Sequence, residues 1–146
     1  TTSEKSAIGR IVVWRWTLDY VSERPLFGGG FYSYNANAGI LHHYQQGDEV
    51  EIKQQGGKAF HNIFFEVLGE TGYGGLFLFL SILLHTILLN RRTIKRLGGE
   101  VGVIGGALSH SLIIYCVGCL FIGVAFYPWI YYLYGVSLAL STVEES

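Results

Sequence analysis

The chain has 146 residues, of which 50% are hydrophobic and only 14% are charged, with a formal net charge of −1. This charged share is well below the roughly one quarter of an average soluble domain, and residues 1–70 hold six of the ten Lys and Arg and eight of the eleven Asp and Glu. The composition therefore describes a polar part followed by an apolar part, and no basic stripe suggests nucleic acid as a partner. Because the chain contains no Met, we interpret it as the C-terminal part of a longer protein.

Residues 6–21 carry the pattern of an amphipathic helix. Hydrophobic residues recur at helical spacing, at Ile8, Ile11, Val12, Leu18 and Val21. Arg24-Pro25 ends the pattern, because the residue before a proline is disfavoured in the helical region. Trp14 and Trp16 fit a helix lying at the membrane interface, but an ordinary amphipathic helix packed on its own domain explains them equally well.

Residues 26–59 are predicted to form a long loop. Gly28-Gly29-Gly30 allows backbone conformations closed to other residues, as well as close approach to a ligand. The acidic group Asp48, Glu49 and Glu51 is interpreted as a solvated face of this loop, because nothing nearby supplies further metal ligands at a fixed spacing. We therefore expect no metal site here.

A membrane span is the clearest element of the sequence. Residues 61–70 are predicted to be helical and to lead into a span over 71–90, which is free of formal charge and about 30 Å long as a helix, the thickness of the hydrocarbon core. Four positive charges follow within residues 91–96. By the positive-inside rule they indicate a cytoplasmic loop over 91–100, which leaves residues 1–70 on the opposite face.

Residues 101–143 carry no formal charge and would run to about 65 Å as one helix, twice the hydrocarbon thickness. Tyr127-Pro128-Trp129 predicts the break, because proline interrupts the helical ladder and aromatic rings prefer the membrane interface. We predict a second span over 102–124 and a third, shorter one over 129–143. The predicted fold class is all-α: a multi-pass membrane protein with a large extracytoplasmic loop carrying amphipathic helices, followed by about three transmembrane helices.

Arg10 and His61 are the candidate residues for chemistry. A guanidinium group presents a planar fork of donors to phosphate oxygens, and a histidine with a pKa near 6.5 can accept the proton of an attacking hydroxyl. A transferase acting on a lipid pyrophosphate needs both functions, one at the leaving group and one at the acceptor. From spacing alone the signal is weak, because such residues are more often surface or structural ones.

Three blocks of the sequence stand in a recognisable order: Ser6-Ala7-Ile8-Gly9-Arg10 with Trp14, then Glu23-Arg24-Pro25-Leu26-Phe27-Gly28-Gly29-Gly30-Phe31, then His61-Asn62 with Phe65-Glu66-Val67-Leu68-Gly69-Glu70-Thr71-Gly72 and Gly75. A closing series follows at Ser111, Tyr115, Gly118, Phe121, Tyr127 and Tyr131-Tyr132-Leu133. In order and spacing these blocks resemble the O-antigen ligase family of bacterial inner-membrane proteins. Within that family they are most similar to the branch of O-glycosylation ligases associated with exosortase systems.

The resemblance implies a multi-pass enzyme of the bacterial inner membrane. Such enzymes transfer a glycan from undecaprenyl pyrophosphate to an acceptor, which is a lipid core or a protein hydroxyl, without a metal or other cofactor. It implies that residues 1–70 lie in the periplasm, that His61 is the base activating the acceptor hydroxyl, and that Arg10 contacts the pyrophosphate. A second functional Arg of the family has no match in this chain. The resemblance therefore implies upstream transmembrane helices of the same protein as partners. This chain alone is expected to be inactive.

Five further residues are interpreted as supporting ones: Trp14, Arg24, Asn62, Glu66 and Glu70. Arg24 and Glu70 are candidates for holding the loop against the membrane helices. Two other functions remain open. One is a polysaccharide polymerase of the same superfamily, and the other is a non-enzymatic membrane transport or assembly component, to which His85 and His110 within the predicted spans give some support.

Overall fold

The computed structural model describes residues 2–44 and 56–143. Four α-helices account for most of these residues: α1 (Thr2–Ser22), α2 (Ile63–Leu97), α3 (Gly99–Gly118) and α4 (Pro128–Ser141). Short 3-10 helices lie in the connections, at Ser33–Asn37, Leu41–Tyr44 and Cys119–Phe121. No strand occurs among the described residues, so the predicted all-α class is confirmed.

Helix α1 covers the predicted amphipathic stretch, but it buries only part of the face that was expected, including Val12 and Val21. Val12 and Trp16 lie in a buried cluster with Phe60, whereas Ile11 and Leu18 of the predicted stripe are 44% and 46% exposed. Trp16 is only 2% exposed and its ring stacks near those of its neighbours. This indole therefore belongs to a core and not to a headgroup belt, which supports the interpretation of α1 as a helix packed on its own domain.

The connection from α1 to α2 folds back on itself through one buried amide. Asn37 is fully buried; its Oδ1 accepts the backbone N–H of Lys58 at 2.7 Å, and its Nδ2 donates to the carbonyl of Lys58 at 2.8 Å. The Asn37 amide therefore pairs with the backbone of Lys58 as a neighbouring strand would, with one donor and one acceptor. These two hydrogen bonds hold the segment before α2 against the first half of the loop. The acidic group at 48–51 lies outside the described residues.

Helix α2 is kinked at Gly72, whose φ of 69° and ψ of −169° are not helical. A kink frees backbone groups from the helical ladder, and the glycine-containing loop before it satisfies them. The hydrogen bonds are Gly29 N to Gly69 O at 2.9 Å, Gly30 N to Glu70 O at 2.8 Å, and Tyr73 N to Pro25 O at 2.8 Å. The loop is thus joined to the membrane helix through backbone contacts on both sides of the kink.

Residues 91–97, which were predicted to lie in a cytoplasmic loop, are helical. Helix α2 continues through the basic residues to Leu97, Gly98 ends it with a φ of 59°, and α3 begins at Gly99. Arg and Lys are good helix formers and are favoured at the carboxyl end of a helix by its dipole. The chain therefore reverses at the glycine pair, the first position where a left-handed residue is available.

The two later helices are shorter than the predicted spans. Helix α3 ends at Gly118, a 3-10 turn carries the chain to Phe121, and the segment 122–127 is not helical, instead of a span running to 124. Helix α4 starts with Pro128 in its first turn and has 14 residues, or about 21 Å, which is less than the hydrocarbon core of about 30 Å. Its end at Ser141 precedes the predicted residue 143.

Helices α2, α3 and α4 pack around one apolar cluster that includes Phe79, Leu112 and Leu133. Two helical segments are long and apolar enough to cross a membrane, Ile63–Leu97 and Gly99–Phe121. Their outer faces expose large hydrophobic side chains that a water-soluble surface rarely groups together, among them Phe77, Leu78, Val103 and Ile114. The fold is therefore that of a helical membrane protein with a polar segment attached to one end of its bundle.

Candidate active site

A cavity of about 790 Å³ opens where the loop, the start of α2 and the segment after α3 meet. Half of its lining residues are Phe or Tyr: Phe31, Tyr32, Tyr34, Phe60, Phe126 and Tyr127. His61, Glu66 and Glu70 supply its ionisable groups. A cavity of this size with a few polar groups in an apolar wall has the usual form of a ligand site, for which volumes of about 300–1,000 Å³ are typical.

His61 is held at the mouth of this cavity by the residues on either side of it. Its φ of 49° is in the left-handed region, which costs a non-glycine residue energy and is found mainly where function or packing enforces it. On one side, Trp14 Nε1 donates to the Phe60 carbonyl at 2.9 Å, and the Trp14 ring stacks on Phe65 with centroids 5.1 Å apart. The predicted supporting residue Trp14 thus positions the peptide that carries His61.

Asn62 fixes the other side of His61. Its Oδ1 caps helix α2 by accepting from Phe64 N at 2.9 Å and Phe65 N at 3.1 Å, the usual role of asparagine at this position. Its Nδ2 donates to the carbonyl of Leu120 at 3.0 Å. This one side chain therefore starts the helix and ties it to the segment after α3, so that His61 has a fixed place relative to both.

Two cations lie beside His61. The Arg10 guanidinium stands over the Phe121 ring, 5.4 Å from its centroid, in the geometry of a cation–π contact. Lys58 approaches α1 at Gly9, the residue before Arg10, where its ammonium group occupies the space that a methyl group on Gly9 would need. The absence of a side chain at Gly9 thus leaves room for the lysine, which is a physical reason for a small residue in this buried part of the helix.

Burial and the neighbouring positive charges lower the pKa values of both His61 and Lys58. Partial burial lowers the pKa of His61 below 6.5, and the charges of Arg10 and Lys58 lower it further. Burial also lowers the pKa of Lys58 below 10.5, with a further contribution from Arg10. The imidazole is accordingly neutral at pH 7 and available as a proton acceptor.

Glu66 and Glu70 are one helical turn apart on α2 and hold different segments. Glu66 Oε2 accepts the backbone N–H of Ala125 at 2.7 Å, and Glu70 Oε1 accepts that of Tyr32 at 2.8 Å. Glu70 thus contacts the loop directly. The Arg24 side chain contacts Glu23 at 3.0 Å and stands over the Tyr20 ring, outside the cavity.

Lys58 and Asn37 were not predicted from the sequence. Lys58 lies only three residues before His61 in the chain, but its nearness to Arg10 depends on how the loop closes onto α1. Asn37 gave no signal, because a buried asparagine looks like any polar loop residue until its partners are known. Both lie within the predicted loop over residues 26–59, which joins the helix carrying Arg10 to His61.

These observations define the protein as a helical membrane protein with a histidine, two cations and an aromatic cavity at one end of its bundle. Residues 1–80 match the O-Antigen ligase family model. The match covers more than half of the 146 residues and includes Arg10, Lys58 and His61, and the chain belongs to the O-antigen ligase family. The members of this family are glycosyltransferase-like ligases and polymerases, so the chain is assigned to this class of enzymes. No curated protein and no solved structure matches significantly.

Proposed function

We propose that this chain carries the site at which a glycan leaves undecaprenyl pyrophosphate and joins an acceptor hydroxyl. The observation that carries the proposal is the meeting of His61 with Arg10 and Lys58 at the mouth of a cavity, although they come from separate parts of the chain. A neutral imidazole beside two cations combines a proton acceptor with a subsite for a doubly esterified diphosphate. Family membership supplies the reaction class, and the geometry supports this division of roles.

The proposed reaction is a single displacement. The acceptor oxygen forms a bond to the anomeric carbon of the glycan while the bond from that carbon to the diphosphate oxygen breaks. The hydroxyl proton passes to the His61 imidazole, and undecaprenyl pyrophosphate departs with the bonding electrons. Arg10 and Lys58 stabilise the negative charge that develops on the leaving group, the function that oriented cations serve in phosphoryl and diphosphate chemistry.

The proposed location is the periplasmic face of a bacterial inner membrane. His61 stands just before α2 begins, and the basic residues 91–96 lie at the other end of the same helix. If those charges mark the cytoplasm, the cavity opens to the periplasm, where the lipid-linked donor is presented. Upstream helices of the same protein, with a further arginine, are proposed to complete the site.

Donor binding offers the first test. In the full-length protein we expect Arg10→Ala and Lys58→Met each to raise the KM for undecaprenyl pyrophosphate-linked glycan about 10- to 100-fold, because a charge-assisted hydrogen bond is worth roughly 1.5–3 kcal/mol. Initial rates in proteoliposomes at varied donor concentration measure this effect. Arg15→Ala is the matched control on α1, since Arg15 is exposed and outside the site, and Lys95→Met is the control for the lysine. If the donor KM stays at the wild-type value in both site variants, Arg10 and Lys58 do not form a subsite for the diphosphate.

The pH dependence offers a second test. Since the pKa of His61 lies below 6.5, the base is neutral at pH 7, and kcat/KM should fall only as the pH drops through that lowered pKa. Lys58→Met removes one of the charges that lower it, so the acid limb should move to higher pH. The profile of kcat/KM between about pH 4.5 and 8 measures this shift. An acid limb that stays in place, or that moves to lower pH, contradicts the coupling of Lys58 to the base.

The alternatives make different products. A polymerase would give a ladder of repeat lengths, whereas a ligase would give glycan attached to lipid or protein. The alternative of a transport role was based on His85 and His110 within the predicted spans. Both side chains are exposed, and neither lines the cavity. Glycan moved across the bilayer by the reconstituted protein without a new glycosidic bond would favour transport.

A further inference from the structure

The connection after α1 carries an exposed apolar tip, Leu26-Phe27, whose two side chains are 65% and 83% exposed. Residues 25–44 carry no formal charge, so no charged side chain has to leave water together with the tip. We propose that Leu26 and Phe27 insert into the acyl chains of the bilayer, on the side of the membrane where His61 lies. The partner of this surface is a lipid leaflet, and the tip anchors the polar segment to it.

Backbone contacts fix the depth of the tip along α2. Tyr73 N donates to the Pro25 carbonyl at 2.8 Å, and a Cβ on Gly74 would lie 2.8 Å from the carbonyl oxygen of Leu26. The charge-free run of α2 begins at Thr71, so the Leu26 backbone lies about 4.5 Å past that boundary, at 1.5 Å per residue. A backbone at this depth matches the roughly 5–10 Å to which interfacial elements bury their apolar side.

The turn that carries the tip is closed and attached at both ends. Gly28 N donates to the Arg24 carbonyl at 2.9 Å, and residues 29–30 return to the backbone of residues 69–70. Among these contacts the one at Gly74 lies furthest along α2, because no side chain stands there to keep the loop away. The tip is therefore held in a defined position on the membrane helix.

The apolar surface of the tip continues along α2. Phe77 and Leu78 follow Gly74 by three and four residues, which places them on the same face of the helix, and they are 70% and 62% exposed. Contacts between membrane helices favour small residues that let two backbones approach, but here the small residue is already covered by the loop. The remaining surface consists of bulky hydrocarbon side chains, which matches acyl chains better than a further helix.

Fluorescence quenching in the full-length protein tests this proposal. A bimane label is attached to Phe27→Cys or Leu26→Cys in a background freed of native cysteines, including Cys116 and Cys119, and the protein is reconstituted in vesicles of phosphatidylethanolamine and phosphatidylglycerol. Lipids with a nitroxide near the carbonyl end of an acyl chain report contact with hydrocarbon, and iodide reports contact with water. Both replaced side chains are exposed, so neither variant removes a core contact.

Ala36→Cys is the matched control. Ala36 is exposed in the same loop, and its neighbour Asn37 is bonded to Lys58, ahead of the start of α2 and away from the span. We expect the nitroxide lipids to quench a label at either tip position at least about threefold more than the label at Ala36, because the tip lies among acyl chains. Iodide should show the reverse order.

Two outcomes would overturn the proposal. Iodide quenching of the tip labels that equals the quenching at Ala36 would place the tip in water. Tip labels that neither quencher reaches would show that another protein segment covers them. The measurement needs no donor and no turnover, so its result is independent of the proposed role of His61.

Discussion

Replacing His61 by alanine in the full-length protein is expected to lower kcat for glycan transfer by about 10²- to 10⁴-fold, the usual contribution of a general base. The donor KM should change little, because Arg10 and Lys58 remain to bind the diphosphate. Removing a side chain from a residue with a φ of 49° does not add strain, so the protein should still fold. Quantifying transferred glycan in the native host and in proteoliposomes measures the loss.

His42→Ala is the matched control for this experiment. His42 is an exposed histidine in the same loop, and its ring lies against that of His43 in a tilted arrangement, with centroids 3.8 Å apart, outside the cavity. Transfer should be unchanged in the control. Wild-type turnover in His61→Ala would mean that another group accepts the proton, and the assignment of His61 as base would then be withdrawn.

The largest effect on stability is expected from Gly72→Ala. Its φ of 69° and ψ of −169° fall in a region that is essentially restricted to glycine and costs other residues roughly 1–3 kcal/mol. The new Cβ would also lie 2.7 Å from the backbone of both Gly28 and Pro25, and backbone cannot move aside as a side-chain end can, which adds roughly 1–3 kcal/mol. With both effects together, the free energy of unfolding should fall by about 2–6 kcal/mol.

Thermal unfolding of the purified full-length protein in detergent measures this change. Gly135→Ala is the control: Gly135 lies inside α4 with open space where a methyl group would stand, so alanine there should be neutral or stabilise the helix by up to about 1 kcal/mol. Proteolysis of residues 23–44 should also accelerate in Gly72→Ala, because the loop loses its attachment at the kink. Equal melting temperatures for the two variants would show that the kink tolerates a side chain.

Local chemistry alone was enough to predict the helical class and the main apolar helices. An uncharged run longer than the hydrocarbon thickness must be helical in a membrane, because every backbone group needs a partner there. Helix α1 was also predicted in the right place, because the spacing of hydrophobic residues that marks a helix depends only on residues close together in the sequence. The errors fell at boundaries and faces: the basic residues 91–96 extend α2, and α1 buries only part of its predicted stripe, since Val12 and Val21 are buried whereas Ile11 and Leu18 are exposed.

The sequence by itself thus determined the helical class and the apolar character of the bundle, and it predicted two residues of the proposed site, Arg10 and His61. Only the tertiary structure decided what surrounds them. Lys58 reaches the site because Asn37 holds its backbone and Gly9 leaves room for its ammonium group. The nearness of Arg10 and Lys58 to His61 depends on contacts between residues far apart in the chain. Periodicity and propensity report on neighbours in sequence, whereas charge, burial and pKa depend on neighbours in space.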